Sequence, residues 1–212
     1  MNDPRIDVGM RAQLEARARI LSAGARPLGW KVGFNLPQIQ ERLGIDAPLA
    51  GFLTSAALIE DGATYALGGA PTVVEPEVAV EIGDDGQSIA ALLPALEVAD
   101  PPDLSLDVAT ILAGNIFHRA VAFGPRVETA APGAARVLLN GQERDSVPAD
   151  AAGANLEAMV EAITRRLVDA GETLRPGDRI ITGVLAPPPE VEAGDRMRLE
   201  LDSVGSVELA FS

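Results

Sequence analysis

The sequence predicts a β-rich α+β fold, and three observations carry that expectation. From about residue 50 onward, short apolar runs such as "AGFL", "AALI", "TYAL" and "TVVEPEVAVEIG" are separated by Gly- and Asp-containing breaks. That spacing is characteristic of strands in an antiparallel or mixed sheet. One strongly amphipathic helix stands out near residue 160, and a second helical pattern occupies the N-terminus. At 212 residues, 47% of them hydrophobic, the chain can form one domain with a substantial core, or one domain and a small appendage.

In chain order, "VGMRAQLEARARILSAG" places Met10, Leu14, Ala18 and Leu21 at helical spacing, with Gly24 closing the helix. A strand is expected in "PLGWKVGF". A short helix follows in "NLPQIQERLG", with Asn35 as its cap, Gln38 completing a capping box and Gly44 ending it. The β-runs from Ala50 lead to "PALEVAD", a further short strand, and "GDDGQ" between them reads as a hairpin turn. "DLSLDVATIL" reads as a short helix capped by Asp103, and "HRAVAFGP" returns to strand. "ARVLLNGQERDSV" carries an Asn-Gly turn between two runs, a hairpin signal. "NLEAMVEAITRRLVDAG" is the clearest helix: Leu156, Met159, Val160, Ile163, Leu167 and Val168 form its apolar stripe, and Arg165 and Arg166 its solvated face. Three β-runs, "RPGDRIITGVL", "AGDRMRLELDS" and "GSVELAF", complete the chain.

Charge narrows the function. Seventeen basic against 31 acidic residues leave a net charge of −14, which disfavours nucleic acids and anionic membrane surfaces as partners. The absence of cysteine excludes disulfides, thiolate nucleophiles and Cys-type zinc sites, and fits a reducing cytoplasm. The N-terminal "MNDPRIDVGM" lacks the basic start and apolar run of a signal peptide, so a cytoplasmic protein is expected.

The chemistry concentrates in "TVVEPEVAVEIG", where Glu75, Glu77 and Glu81 share one face of an apolar strand. Side chains at i and i+2 lie roughly 6.6 Å apart. Two charges at about 6 Å repel by ~0.7 kcal/mol in water and ~2.8 kcal/mol at an effective dielectric of 20. Something positive should neutralise Glu75 and Glu77: a basic side chain from elsewhere, or a hard cation ligated by oxygen. Glu97 or Asp100 of "PALEVAD" could supply a third ligand, while Glu81 should lie near solvent. The competing reading is an edge strand with one wet acidic face, which Pro76 would tolerate.

Together, "GWKVGF", "GID", "VVEPEVAVEIG", "PALEVAD" and "LRPGDRIITGVL…VEAGDRMRLELDSVGSVELAF" resemble, in order, the 2-keto-4-pentenoate hydratase and 4-oxalocrotonate decarboxylase branch of the fumarylacetoacetate hydrolase superfamily. The resemblance implies a mixed β-roll with the long helix packed outside. Residues 1–27 would form an N-terminal helical segment and residues 28–212 the catalytic domain. It implies Mg²⁺ or Mn²⁺ held by Glu75, Glu77 and Glu97. Lys31 would contact the substrate or shuttle a proton, and Asn115, Thr182 and Gly183 would line the substrate pocket. The implied activity is a metal-dependent lyase of hydratase type acting on a small 2-keto acid or its enol. Decarboxylation, C–C hydrolysis, isomerisation or a non-catalytic role on the same fold remain open. A homo-oligomer is also implied.

Departures from the family pattern locate what is particular to this chain. Leu49 stands where the hydratases carry an acid. "NIFHRAVAFG" replaces a loop of small residues, placing His118 and Arg119 beside the expected pocket. His118 would serve as general acid or base and Arg119 as a bidentate carboxylate clamp, unless the pair lies on the outer face of its strand. The Glu77-to-Glu97 interval and the N-terminal region are both shorter than the family pattern, implying a more open pocket, a different substrate or help from a neighbouring subunit.

Overall fold

The computed structural model describes residues 3–128 and 131–212. Helix α1 (Pro4–Ser22) begins four residues earlier than the apolar spacing predicts, because Pro4 occupies its first turn and Asp3 accepts the Arg5 N–H as cap. Then come β1 (Pro27–Gly33), α2 (Pro37–Leu43) and β2 (Leu49–Thr54). A 3₁₀ turn (Ser55–Ala57) leads to β3 (Leu58–Ile59) and β4 (Thr64–Tyr65). The centre of the chain forms β5 (Val73–Ile82), β6 (Ile89–Ala99), α3 (Val108–Ala113) and β7 (His118–Phe123). The remainder forms β8 (Ala135–Leu139), β9 (Gln142–Val147), α4 (Ala149–Ala152), α5 (Leu156–Asp169), β10 (Arg179–Val184), β11 (Arg196–Leu201) and β12 (Gly205–Phe211).

Two helix starts differ from the sequence expectation. Pro37 fixes the first turn of α2, so the cap falls on Leu36 and Asn35 is left outside the helix. Asp107 caps α3 by accepting the Ala109 and Thr110 N–H groups, whereas Asp103 closes a separate turn through Ser105. In α5 the buried stripe is Leu156, Val160, Ile163 and Leu167, while Val168 is 61% exposed. Arg166 is not solvated either: it donates to the Pro48 and Ala47 carbonyls and anchors the approach to β2. The Asn-Gly hairpin is present, with Asn140 and Gly141 joining β8 to β9 at φ values of 54° and 75°.

The strands form two mixed sheets, one ordered β2-β1-β10-β5-β6-β7-β3 and one ordered β4-β12-β11-β8-β9. The larger sheet is curled. Its edge strands β2 and β3 are joined by only the 3₁₀ turn, and the Asn115 side chain, just before β7, bonds both the N–H and the C=O of Phe52 in β2. Inside the curl, Leu53, Ala79, Leu93, Ala95, Val121, Phe123 and Ile181 form a small core. Outside it, Trp30, Val78, Val80, Leu92, Leu96 and Ile180 join a larger core completed by the helices and the second sheet. Helix α1 shares that larger core through Ile6 and Met10. Among the described residues, no helix is long and apolar enough to cross a membrane.

Candidate metal centre and active site

Strand β5 is a central strand, flanked by β10 and β6, so the wet-edge reading of its acids does not hold. Val74, Val78, Val80 and Ile82 point to the larger core, and the alternate positions Glu75, Glu77, Ala79 and Glu81 face the inside of the curl. Pro76 is tolerated because its carbonyl accepts the Leu185 N–H on the β10 side, where the ladder is already broken between Ile181 and Val184. A residue's N–H and C=O point to the same neighbouring strand, so the donor that proline lacks falls at this bulge. Glu81 is also not solvated. It lies at the far end of the strand, paired with Arg126 and Arg179.

The β5–β6 hairpin supplies the third acid. Its register places Glu97 directly opposite Glu75. Carboxylate oxygens of Glu75, Glu77 and Glu97 lie within 4.8 Å of one another, and Glu77 and Glu97 are fully buried. Among the described residues no arginine pairs with these three acids; the basic side chains bonded to the cluster are Lys31 and His118, both on Glu97. The Lys31 ammonium pairs with Glu97 Oε1 and donates to the Ile116 carbonyl at 3.1 Å. Lys31 reaches this depth because Gly51 lies opposite it on β2, where a Cβ would sit 2.6 Å from the Lys31 Cγ.

With all three carboxylates ionised, the cluster would carry an excess of negative charge in a largely buried space beside Lys31 and His118. Ionisation of the acids is therefore opposed unevenly. Burial, then the charge of Glu97, push the Glu75 carboxyl up to about 7, with Lys31 pulling the other way. Burial, then Glu97 and Glu75, hold Glu77 well above the ordinary carboxylate range. For Glu97, burial opposes ionisation but is outweighed by Lys31 and His118, which keep its carboxyl below the ordinary value. Burial likewise opposes the charge on Lys31, and Glu97 and Glu75 overcome it, so Lys31 is a firmly protonated ammonium.

The hydrogen bonds sort the oxygens. Glu97 Oε1 is taken by Lys31 and by His118 Nδ1 at 2.8 Å, and Glu77 Oε2 accepts the Gly183 N–H at 2.6 Å. The other oxygens, Glu97 Oε2 and Glu77 Oε1, are buried with no hydrogen-bond partner. Unpaired buried carboxylate oxygens are costly, and an all-oxygen donor set of this kind suits a hard divalent cation. The residues present therefore fit Mg²⁺ or Mn²⁺, whose charge would cancel the excess.

Two backbone irregularities create this pattern. Between β6 and β7, Glu97 pairs with Val121 and Val98 with Ala120; the register then slips, and Ala99 lies opposite His118. The slip turns His118 inward and leaves Arg119 outside the cluster, with its side chain 56% exposed and bonded to Asp100 at 2.7 Å. The expected carboxylate clamp at Arg119 is thus occupied by a neighbouring acid. In β10, the bulge sets Gly183 at φ 106° and aims its N–H at Glu77; a Cβ there would lie 2.6 Å from the Asn35 Nδ2. The Thr182 hydroxyl donates to the Val78 carbonyl, so it secures the bulge and is not turned to the pocket. Asn115 is similarly committed to Phe52, and Leu49 is fully buried in the larger core, bringing no acid to the site.

A cavity of about 280 Å³ opens beside the cluster and is reached by Lys31, Glu75, Asn35 and Gly183. Phe34 and Phe117 also line it. Neither aromatic was singled out by sequence reasoning, although each lies within a few residues of Lys31 or His118. A larger groove, about 550 Å³, runs between α1 and α5, but the buried acids and the ammonium lie at the smaller cavity.

Residues 30–211 match the family model described as fumarylacetoacetate (FAA) hydrolase C-terminal. The chain belongs to the fumarylacetoacetate hydrolase family. It is 28% identical to a 2-keto-4-pentenoate hydratase of Dechloromonas aromatica, over 91% of this chain and 80% of that protein. The fold is similar to that of the 4-oxalocrotonate decarboxylase of Pseudomonas putida G7, solved with magnesium and adipate, at a TM-score of 0.83 and 21% identity over 94% of this chain and 83% of that one. A fumarylpyruvate hydrolase of Pseudomonas aeruginosa, solved with Mn²⁺ and pyruvate, gives a TM-score of 0.63 at 18% identity over 88% of this chain and 89% of that one.

Proposed function

We propose that this fumarylacetoacetate hydrolase family member is a Mg²⁺- or Mn²⁺-dependent lyase of hydratase type, acting on a small 2-keto acid or its 2-hydroxydienoate-like enol. The observation that carries the reading is the pair of buried, unpartnered oxygens, Glu97 Oε2 and Glu77 Oε1, beside Glu75 at the inner end of the cavity. A relative named as a 2-keto-4-pentenoate hydratase and neighbours solved with Mg²⁺ or Mn²⁺ support it.

In this reading Glu75, Glu77 and Glu97 hold the cation. Bound there, it would act as a Lewis acid toward the negative charge that builds as a 2-keto acid passes to its enolate. Lys31, protonated and open to the cavity, donates to the substrate or delivers the proton that returns to carbon. His118 acts through Glu97: its Nδ1 fixes Oε1 and so leaves Oε2 free. Gly183 fixes Glu77 in the same manner. A homo-oligomer belongs to the same proposal, and light scattering would distinguish it from a 22.0 kDa monomer.

Leu49 favours a second reading, a decarboxylase or C–C hydrolase. With a buried leucine where the hydratases carry an acid, water addition would lack one polar guide. Proton NMR of the Mg²⁺-loaded protein separates the two. Hydration of 2-hydroxypenta-2,4-dienoate, abolished in Glu75→Ala/Glu77→Ala, is the expected result. Turnover of oxaloacetate or an acylpyruvate alone would favour the second reading, and no conversion above that of the double variant contradicts both.

A further inference from the structure

We propose that the cavity selects 2-oxo acids with an uncharged, apolar far end and rejects dicarboxylates. This rests on the functional reading above and names the substrate class for the same site. Moving away from the carboxylates, the cavity is walled by Phe34, Leu36, Ile39, Leu104 and Phe117. Phe34 and Phe117 lie 6.5 Å apart at an interplanar angle of 74°, an edge-to-face pair. Both sit on left-handed backbone, with φ of 58° and 62°. That conformation is uncommon for bulky residues and is sustained only where surrounding structure enforces it. Both residues line the cavity.

Charge points the same way. Among the described residues lining the cavity, Lys31 is the one cation, and it is engaged by Glu97 and the Ile116 carbonyl at the inner end. The other charged group on the outer wall is Asp100. Arg119 grips Asp100 with both Nε, at 2.9 Å, and Nη2, at 2.7 Å, so its fork is already used. Asn35, the one uncharged polar side chain of the described lining, lies against Gly183 at the inner end. A second carboxylate at the far end would therefore meet hydrocarbon or Asp100 and leave water without a partner, which is unfavourable. A hydrocarbon end would gain about fourfold in affinity per buried methylene.

Calorimetric titration of the Mn²⁺-loaded protein with pyruvate, 2-oxohexanoate and 2-oxoadipate isolates the effect, since the last two differ only in a terminal methyl or carboxylate. The expected result is 2-oxohexanoate binding at least tenfold more tightly than 2-oxoadipate. Leu36→Arg, at a position 42% exposed and so tolerant of charge, should raise 2-oxoadipate affinity at least tenfold; no rise places the far end elsewhere and overturns the assignment. Equal or tighter binding of 2-oxoadipate to the unsubstituted protein overturns the proposal. Loss of that binding in Arg119→Ala would then show Arg119 leaving Asp100 to clamp the distal acid. If pyruvate binds without discrimination among longer acids, the functional reading stands and this inference falls; if none of the three binds, both fall.

Discussion

Lys31 is the residue on which the electrostatics of the site turn, because its ammonium pairs with Glu97 inside the cluster of three acids. Breaking a buried ion pair by removing one partner costs about 3–5 kcal/mol, since the remaining charge is left in low dielectric. Lys31→Met should lose about that much unfolding free energy in urea titrations at pH 8 without divalent ions. The loss should be smaller at pH 5, where Glu97, freed of its ammonium, can take up a proton. An unchanged midpoint at pH 8 would mean that the pair contributes nothing to the fold. Glu75 and Glu77 were legible in the sequence because i and i+2 on a strand must share a face, Glu97 or Asp100 could be offered as a third ligand, and the family resemblance chose Glu97 and added Lys31. The inward turn of His118 in preference to Arg119 was not legible, since it depends on a one-residue slip between strands. The same holds for Thr182 and Asn115, whose polar groups are taken by backbone atoms far away in sequence.

At the scale of elements, the site is held by departures from regular pairing. The strands themselves could be read from apolar runs and turn residues, but the bulge in β10 and the left-handed turn before β7 could not, because neither has a local period. Asn115, Ile116 and Phe117 have φ of 56°, 51° and 62°, three successive non-glycine residues in a region that costs roughly 1–2 kcal/mol each. The turn offsets that cost by presenting the Ile116 carbonyl to Lys31 and the Asn115 amide to Phe52. Asn115→Ala would strand a buried N–H and C=O on β2, at about 1–3 kcal/mol for each group. Chemical denaturation should record a loss of about 2–6 kcal/mol, and hydrogen exchange should speed up at Phe52; protection equal to the native protein would show that the curl closes without this contact. Gly183→Ala tests the bulge. Alanine is strained at φ 106° and its Cβ would also press on the Asn35 side chain, so the backbone should relax, swing the Gly183 N–H from Glu77 and weaken Mn²⁺ binding at least tenfold. Unaltered Mn²⁺ affinity would remove the bulge from the account of the site.

For the whole molecule, the acid cluster should make stability depend on pH in a direction opposite to that of most carboxylates. A carboxyl whose folded value is raised binds more protons in the folded chain than in the unfolded one, so stability falls as pH rises through that window. For Glu75 the window runs from the ordinary 4.5 to about 7, and Glu77 extends it upward. Glu97, held below its ordinary value, contributes in the opposite sense and is lost only at acid pH. Thermal melts in EDTA should therefore show the midpoint falling between pH 5 and 8. Added Mg²⁺ should stabilise more as pH rises, because binding displaces the protons the cluster would otherwise hold. A midpoint rising over that range in EDTA would contradict the buried, unbalanced cluster.

Everything functional here depends on Glu75, Glu77 and Glu97 forming one cation site. Calorimetric titration of Mn²⁺ into EDTA-stripped protein tests this most directly, with Glu75→Ala/Glu77→Ala as the comparison. The account predicts one ion per chain in the native protein and none in the double variant. No binding by the native protein, or equal binding by both, would contradict it.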